Sequence, residues 1–166
     1  QMCIRDRLQE ASKPLPAEIV KLTGLTDKDL KGKKIDWSAF DEFIQDAVLV
    51  IAHNASFDRP FVEKHSATSK DKIWGCSFSQ IPWNEWFSSA KQEFLAISHG
   101  FFYDAHRSLI DVDALIKLLS SESENNNFYL SYLLENARKK NFWVYASGAP
   151  FETKDLLKKR RYQWDN

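Results

Sequence analysis

Apolar residues come in runs whose spacing changes from segment to segment, and that spacing is the first guide to structure. The opening stretch, QMCIRDR, has no period that ties it to the rest of the chain. Residues 8–33 have few apolar residues and are broken by Pro14 and Pro16, with one short amphipathic turn of helix expected at 17–22 and a stop at Gly24. Residues 36–45, DWSAFDEFIQ, place Trp37, Phe40, Phe43 and Ile44 on one helical face. The continuous run 47–52, AVLVIA, predicts a strand buried on both faces, the kind found in parallel sheets covered by helices. Pro60 limits the next helix, because an interior proline loses a hydrogen bond and clashes with the preceding turn. That helix is therefore expected to start near Phe57, with Ser56 or Asn54 as its cap. A β-like run covers 73–78, IWGCSF, a further helix opens at 94–97, and the most strongly periodic helix spans 106–119. The polar run 120–127, SSESENNN, reads as a linker. Beyond it come a helix at 128–140, a strand at 142–146, the turn SGAP and a basic helix; no internal repeat is visible.

Composition narrows the class. A chain of 166 residues with 43% hydrophobic and 14% aromatic residues can bury the core of one folded domain. Its 23 basic and 23 acidic residues cancel, so no global field points to nucleic acid or to a membrane surface, and any such binding must be local. No apolar run approaches the length of a membrane span, and the opening residues contain no apolar h-region of the kind a secretory signal carries. Cys3 and Cys76 cannot form a disulfide framework and lack zinc-finger spacing, which fits a reducing, cytoplasmic compartment. Because Gln1 precedes Met2, the chain is expected to be a processed product or a fragment, with residues 1–7 a non-native leader.

The candidate chemistry lies in two places. In VIAHNASFDRPF an apolar run breaks into His-Asn and delivers Asp58 four residues after Asn54. In HRSLIDVDALIKLL, at about 100° per residue, Leu109, Val112, Leu115, Ile116, Leu118 and Leu119 share a wide face that also takes in Asp111. A carboxylate on a buried face needs a partner or a metal, whereas Asp113 can pair with Lys117 one turn on. His106, five residues before Asp111, could take a proton from a metal-held water. Each has a plainer reading as well: a rim salt bridge for Asp111, a capping or core histidine for His106, a first-turn aspartate favoured by the helix dipole for Asp58. Trp74, Trp83, Trp86 and Trp143 read mainly as core, whereas Phe101, Phe102 and Tyr103, in a loop beside His106, are better placed to stack on a base. Lys158, Lys159, Arg160 and Arg161 either grip a phosphate backbone or form the solvated, dipole-compatible end of a helix.

Taken together, a strand running into HNASFD, followed some fifty residues later by H-x4-D, resembles two of the three motifs of the DEDDh 3′-5′ exonucleases. This is the superfamily of the proofreading epsilon subunit of bacterial DNA polymerase III. The stretches PAEIVKLTGLTD, VIAHNASFDRPFVEK and GFFYDAHRSLIDVDALIKLL carry the resemblance. The tail YASGAPFETKDLLKKRRYQW resembles one found on a branch of epsilon-like bacterial exonucleases. The resemblance implies an α/β, ribonuclease H-like mixed sheet flanked by helices. It implies Asp58 and Asp111 as metal carboxylates, His106 as general base and Asn54 beside the terminal nucleotide. It also implies two Mg²⁺ or Mn²⁺ ions, a single-stranded DNA or RNA 3′ end as substrate, and a DNA polymerase as a candidate partner.

The sequence departs from that pattern in one respect. The family takes two further carboxylates from a D-x-E on its first strand, and none of the thirteen aspartates here is followed two residues later by Glu. The expectation is an exonuclease domain at 8–120 without its N-terminal strands, a linker at 121–127 and a helix-strand-helix tail at 128–166, inactive as it stands. The alternative is a non-catalytic nucleic-acid-binding or protein-interaction module of the same fold.

Overall fold

The computed structural model describes residues 6–140, 144–160, 162 and 163. At the N-terminal side, α1 (Ala17–Thr23) ends where Gly24 adopts a left-handed conformation (φ 69°) and its N–H returns to the Val20 carbonyl, the stop that the glycine predicts. A second helix, α2 (Asp27–Leu30), lies where only loop was expected. It is held at its start by the Asp29 carboxylate, which accepts from the Thr26 N–H at 2.8 Å and the Thr26 hydroxyl at 2.6 Å. Asp29 thus does the work of the Glu of a capping box with a shorter side chain. Helix α3 (Trp37–Ile44) comes next, with the Asp36 side chain accepting from the Ala39 N–H at 3.0 Å.

The centre is a strand-helix-helix-strand unit: β1 (Leu49–Ala52), α4 (Ala55–His65), α5 (Ala67–Lys70) and β2 (Ile73–Cys76). The strands pair in parallel, with Leu49 opposite Ile73 and Ala52 opposite Cys76. Among the described residues the sheet has these two strands. β1 is half-buried along its length rather than buried on both faces, and among the described residues only one of its edges is paired. Its alternation survives: Leu49 and Ile51 point into the core cluster. Helix α4 starts two residues earlier than Pro60 suggested. Asn54, at φ 69° and ψ 55°, turns the chain straight from strand into helix, and Pro60 costs only the bond to Ser56, an exposed residue. Trp37 of α3 stacks on His65 at the end of α4, ring centroids 4.8 Å apart.

After β2 come α6 (Ser77–Gln80), a 3₁₀ turn (Trp83–Glu85), α7 (Gln92–Ser98), α8 (Ser108–Leu119) and α9 (Tyr129–Ala137). The core gathers Ile81, Trp83, Leu95, Leu115, Leu118, Leu119, Tyr129 and Leu133. Trp83 is buried with its indole N–H donating to the Ser77 carbonyl at 2.6 Å, so its one polar atom is satisfied. Burying a leucine such as Leu133, which has 0% exposure, is worth roughly 1.5–3 kcal/mol.

The polar run before α9 is a closed turn. Glu122 bridges Phe128, the Ser123 N–H bonds the Asn127 carbonyl at 2.9 Å, and the Tyr129 N–H bonds the Ser121 carbonyl at 3.1 Å. This turn brings α9 back onto β2, α6 and α8. The expected strand at 142–146 falls partly outside the described residues, as do Trp143 and Arg161; within it, Val144 and Tyr145 are exposed. A 3₁₀ turn (Phe151–Thr153) and α10 (Lys154–Lys159) complete the described chain, with no buried residue in either. No helix among the described residues is long and apolar enough to cross a membrane.

Candidate active site

The carboxyl ends of β1 and β2 are tied together by side chains, and Asn54 and Asp58 follow directly after β1, whereas Asp111 and His106 lie at the start of α8. His53, directly after β1, places Nδ1 2.9 Å from the Ser77 hydroxyl at the end of β2, and its ring meets Phe78 edge-on. Its Nε2 is buried without a well-formed hydrogen bond among the described residues. Burial, against a weaker pull from the Ala90 backbone, holds the ring's pKa below the usual histidine value. The sequence pattern gave His53 no role. The clue was its place next to Asn54 at the point where the apolar run ends.

Asn54 is the residue before α4, but its side chain does not cap the helix backbone; Oδ1 accepts the Ser56 hydroxyl at 2.8 Å. Its left-handed backbone is tolerated because asparagine enters that region more readily than most residues. Asp58 lies in the first turn of α4, half-buried, and burial raises its carboxyl pKa.

Asp111 lies in the first turn of α8 and is also half-buried. Burial and the nearby Glu93 raise its pKa, against the opposing influence of His106. Its Oδ1 accepts the His106 backbone N–H at 3.2 Å. His106 itself stands outside the helix, contrary to the expected start at 106: its φ of 69° is incompatible with a right-handed turn, and α8 begins at Ser108. The apolar face of α8 is also narrower than expected. Ala114, Leu115, Leu118 and Leu119 are buried, while Val112 and Ile116 are substantially exposed. Lys117 lies over the Phe101 ring, 4.1 Å from its centroid, and forms no ion pair with Asp113.

Burial alternates along the loop before His106. Phe101 packs on the core and Tyr103 is half-buried, with its phenol pushed up to about 12 by burial and by the charges of Asp111 and Glu93. Phe102 is 90% exposed and is the one of the three aromatics that points wholly to solvent. Gln92 closes this side by donating Nε2–H to the Asp111 carbonyl at 2.6 Å. Tyr103 and Gln92 were not recognisable in sequence as neighbours of Asp111, because α7 and α8 meet only in the folded chain.

The donor chemistry of Asp58 and Asp111 suits Mg²⁺ or Mn²⁺, which prefer carboxylate oxygens, and neither side chain is neutralised by a Lys or Arg ion pair among the described residues. Their number falls short: among the described residues no three His, Cys, Asp or Glu side chains converge on a common point.

The class defined so far is a mixed α/β protein with a parallel strand pair, one half-buried carboxylate, Asp58, in the helix after the first strand, and a second, Asp111, in the first turn of α8. Over 68 residues, 37% of the chain, the sequence is 43% identical to the DNA polymerase III PolC-type of Streptococcus pyogenes serotype M18 (strain MGAS8232), covering 5% of that protein. Over 60 residues, 34% of the chain, it is 47% identical to the DNA polymerase III PolC-type of Halalkalibacterium halodurans, covering 4% of it. The match thus spans a small fraction of these curated relatives. No family model matches the chain, and no solved structure matches it.

Proposed function

We propose that this chain carries part of the site of a DEDDh-type 3′-5′ exonuclease of ribonuclease H-like fold, acting on single-stranded DNA ends in a replication setting alongside a DNA polymerase. The observation that carries this reading is the pair of half-buried carboxylates, Asp58 and Asp111, whose pKa values burial raises and which no Lys or Arg among the described residues offsets. Structural aspartates are usually paired; carboxylates left under strain are common where a cation is to be held. The similarity to PolC-type DNA polymerase III supports DNA over RNA as substrate.

In this reading Asp58 and Asp111 offer oxygens to divalent cations, and His106, exposed beside Asp111, accepts the proton of the attacking water at a ring nitrogen. Asn54 lines the approach of the terminal nucleotide, and Phe102 stacks on its base. Asp58 and Asp111 would hold Mg²⁺ or Mn²⁺, which would supply stabilisation of the negative charge that develops in phosphodiester hydrolysis to nucleoside 5′-monophosphates.

Two carboxylates cannot offset the repulsion of two cations held roughly 4 Å apart, so the 166-residue chain alone is expected to show no turnover. The experiment compares this chain with a version bearing an N-terminal hairpin that contains D-x-E, on single-stranded DNA and short RNA with Mg²⁺ or Mn²⁺. The grafted protein should degrade DNA from the 3′ end, and Asp58→Ala, Asp111→Ala or His106→Ala should each abolish this. Activity from the ungrafted chain that His106→Ala removes would show the first motif to be dispensable. A folded but inert graft that still binds oligonucleotide would favour the second reading, a non-catalytic nucleic-acid-binding module. The lack of a three-donor cluster among the described residues is the observation on that side.

A further inference from the structure

The chain's zero net charge hides a sharp asymmetry. Residues 1–137 hold 15 of the basic and 20 of the acidic residues, and residues 138–166 hold 8 and 3, so the two parts carry net charges of −5 and +5. We propose that Phe151 to Arg160 is a second contact for single-stranded nucleic acid, in which Phe151 stacks on a base while Lys154, Lys158, Lys159 and Arg160 hold the phosphate backbone. The proposal rests on the nucleic-acid reading above, but not on any chemistry at Asp58 or Asp111.

Folding does not account for this segment's composition. None of its residues is buried, and Phe151 is 69% exposed, so the ring is not serving a core. The helix dipole explains Lys158 and Lys159 in the last turn of α10, where cations are favoured. It does not explain Lys154 at the first position of the same helix, where a cation is disfavoured. Lys154 instead places Nζ 4.3 Å from the centroid of the Phe151 ring. Lys158 is one helical turn further on the same face. None of these four cations makes an ion pair among the described residues.

An exposed ring bearing a lysine, with a second cation a turn away, has the elements of a single-strand contact: a face for a base and positive charge beside it. A duplex hides its base faces, so the ring favours an unpaired strand. A membrane surface is the weaker fit, because the six residues of α10 form less than two turns and present no apolar stripe of the length used by interfacial helices.

The test uses the whole chain in EDTA, so that any metal-dependent hydrolysis is silent. Fluorescence anisotropy follows a labelled oligothymidylate of roughly 15 nucleotides, near the site size of one single-strand module. Replacing Lys154, Lys158, Lys159 and Arg160 together by Gln should weaken binding about tenfold near 50 mM salt. It should also lower the slope of log K against log salt by about 0.7 for each phosphate no longer neutralised. Phe151→Leu should weaken binding severalfold with the slope unchanged, since stacking releases no counterions. Both variants should melt like the parent, as every altered side chain is outside the core. Parent-like affinity and slope in the quadruple variant would overturn the proposal, as would an absence of binding by the parent. Duplex binding as tight as single-strand binding and indifferent to Phe151→Leu would also overturn it. So would tighter retention on vesicles containing about a third phosphatidylserine than on the oligonucleotide. Asp58→Asn and Asp111→Asn should leave the effects of the tail substitutions intact, so an inert graft together with a salt-sensitive tail would separate this proposal from the exonuclease reading.

Discussion

At Asp58 and Asp111 burial raises the carboxyl pKa, so at neutral pH each side chain is ionised at a cost to the folded state. A carboxyl whose folded pKa exceeds its unfolded value adds stability below the unfolded value, and that stability disappears as pH rises through the folded one. Asp58→Asn and Asp111→Asn should therefore raise Tm at pH 7, by only about 1–2 °C because both groups stay partly solvated. Near pH 3, with the carboxyls protonated in both states, the gain should vanish; thermal melts at the two pH values check this. His53 runs the other way. Burial lowers its pKa from 6.5, so the folded state loses stability as pH falls below that value. His53→Gln should flatten the loss between pH 7 and pH 5 in chemical denaturation, and a loss as steep as the parent's would place the titrating group elsewhere.

Among elements, the junction of α9 with β2 depends on Gly75. A methyl group built there would sit 2.9 Å from Leu133 Cδ2, and Leu133 is fully buried, so the clash must be relieved within the core. Gly75→Ala should cost about 1–3 kcal/mol, the usual range for overpacking, read as a lower denaturant midpoint at unchanged m-value. A neutral result would mean that α9 can lift from the sheet. The same packing explains why the polar run before α9 is closed by backbone hydrogen bonds: the turn must return the chain so that Tyr129 and Leu133 meet Trp83 and Leu118.

For the molecule as a whole, the exposed apolar residues matter most. Val48, 86% exposed beside β1, and Ile73, opposite the start of that strand, border the small sheet, while Val112 and Ile116 line the outer side of α8. One edge of β1 has no partner among the described residues, and unpaired edges with apolar borders promote association. Sedimentation velocity should show weight-average mass rising with concentration, and Val48→Lys with Ile116→Lys should shift the protein toward monomer. A monomer at all concentrations in the parent would remove this expectation.

Local pattern determined the elements whose signals lie within a few residues: the Gly24 stop, helix α3 behind Asp36, the strands from AVLVIA and IWGCSF, and the helical period ending at Leu119. It also singled out Asp111, because a carboxylate within an apolar period stands out without any knowledge of the fold, whereas Asp58 stood out only as the carboxylate that follows the broken apolar run. Tertiary structure decided what depends on partners distant in sequence. It left β1 half-buried, since a strand's burial depends on which elements pack over its faces and which strands flank it. It drew Phe101 inward and turned Phe102 outward, placed Tyr103 and Gln92 beside Asp111, and locked His53 to Ser77 across 24 residues. It put His106 outside the helix, because a left-handed residue cannot continue a right-handed turn. Periodicity reports which side of an element is apolar; which neighbour covers that side, and how fully, is settled only when separate elements pack and their mutual burial outweighs the chain entropy spent in bringing them together.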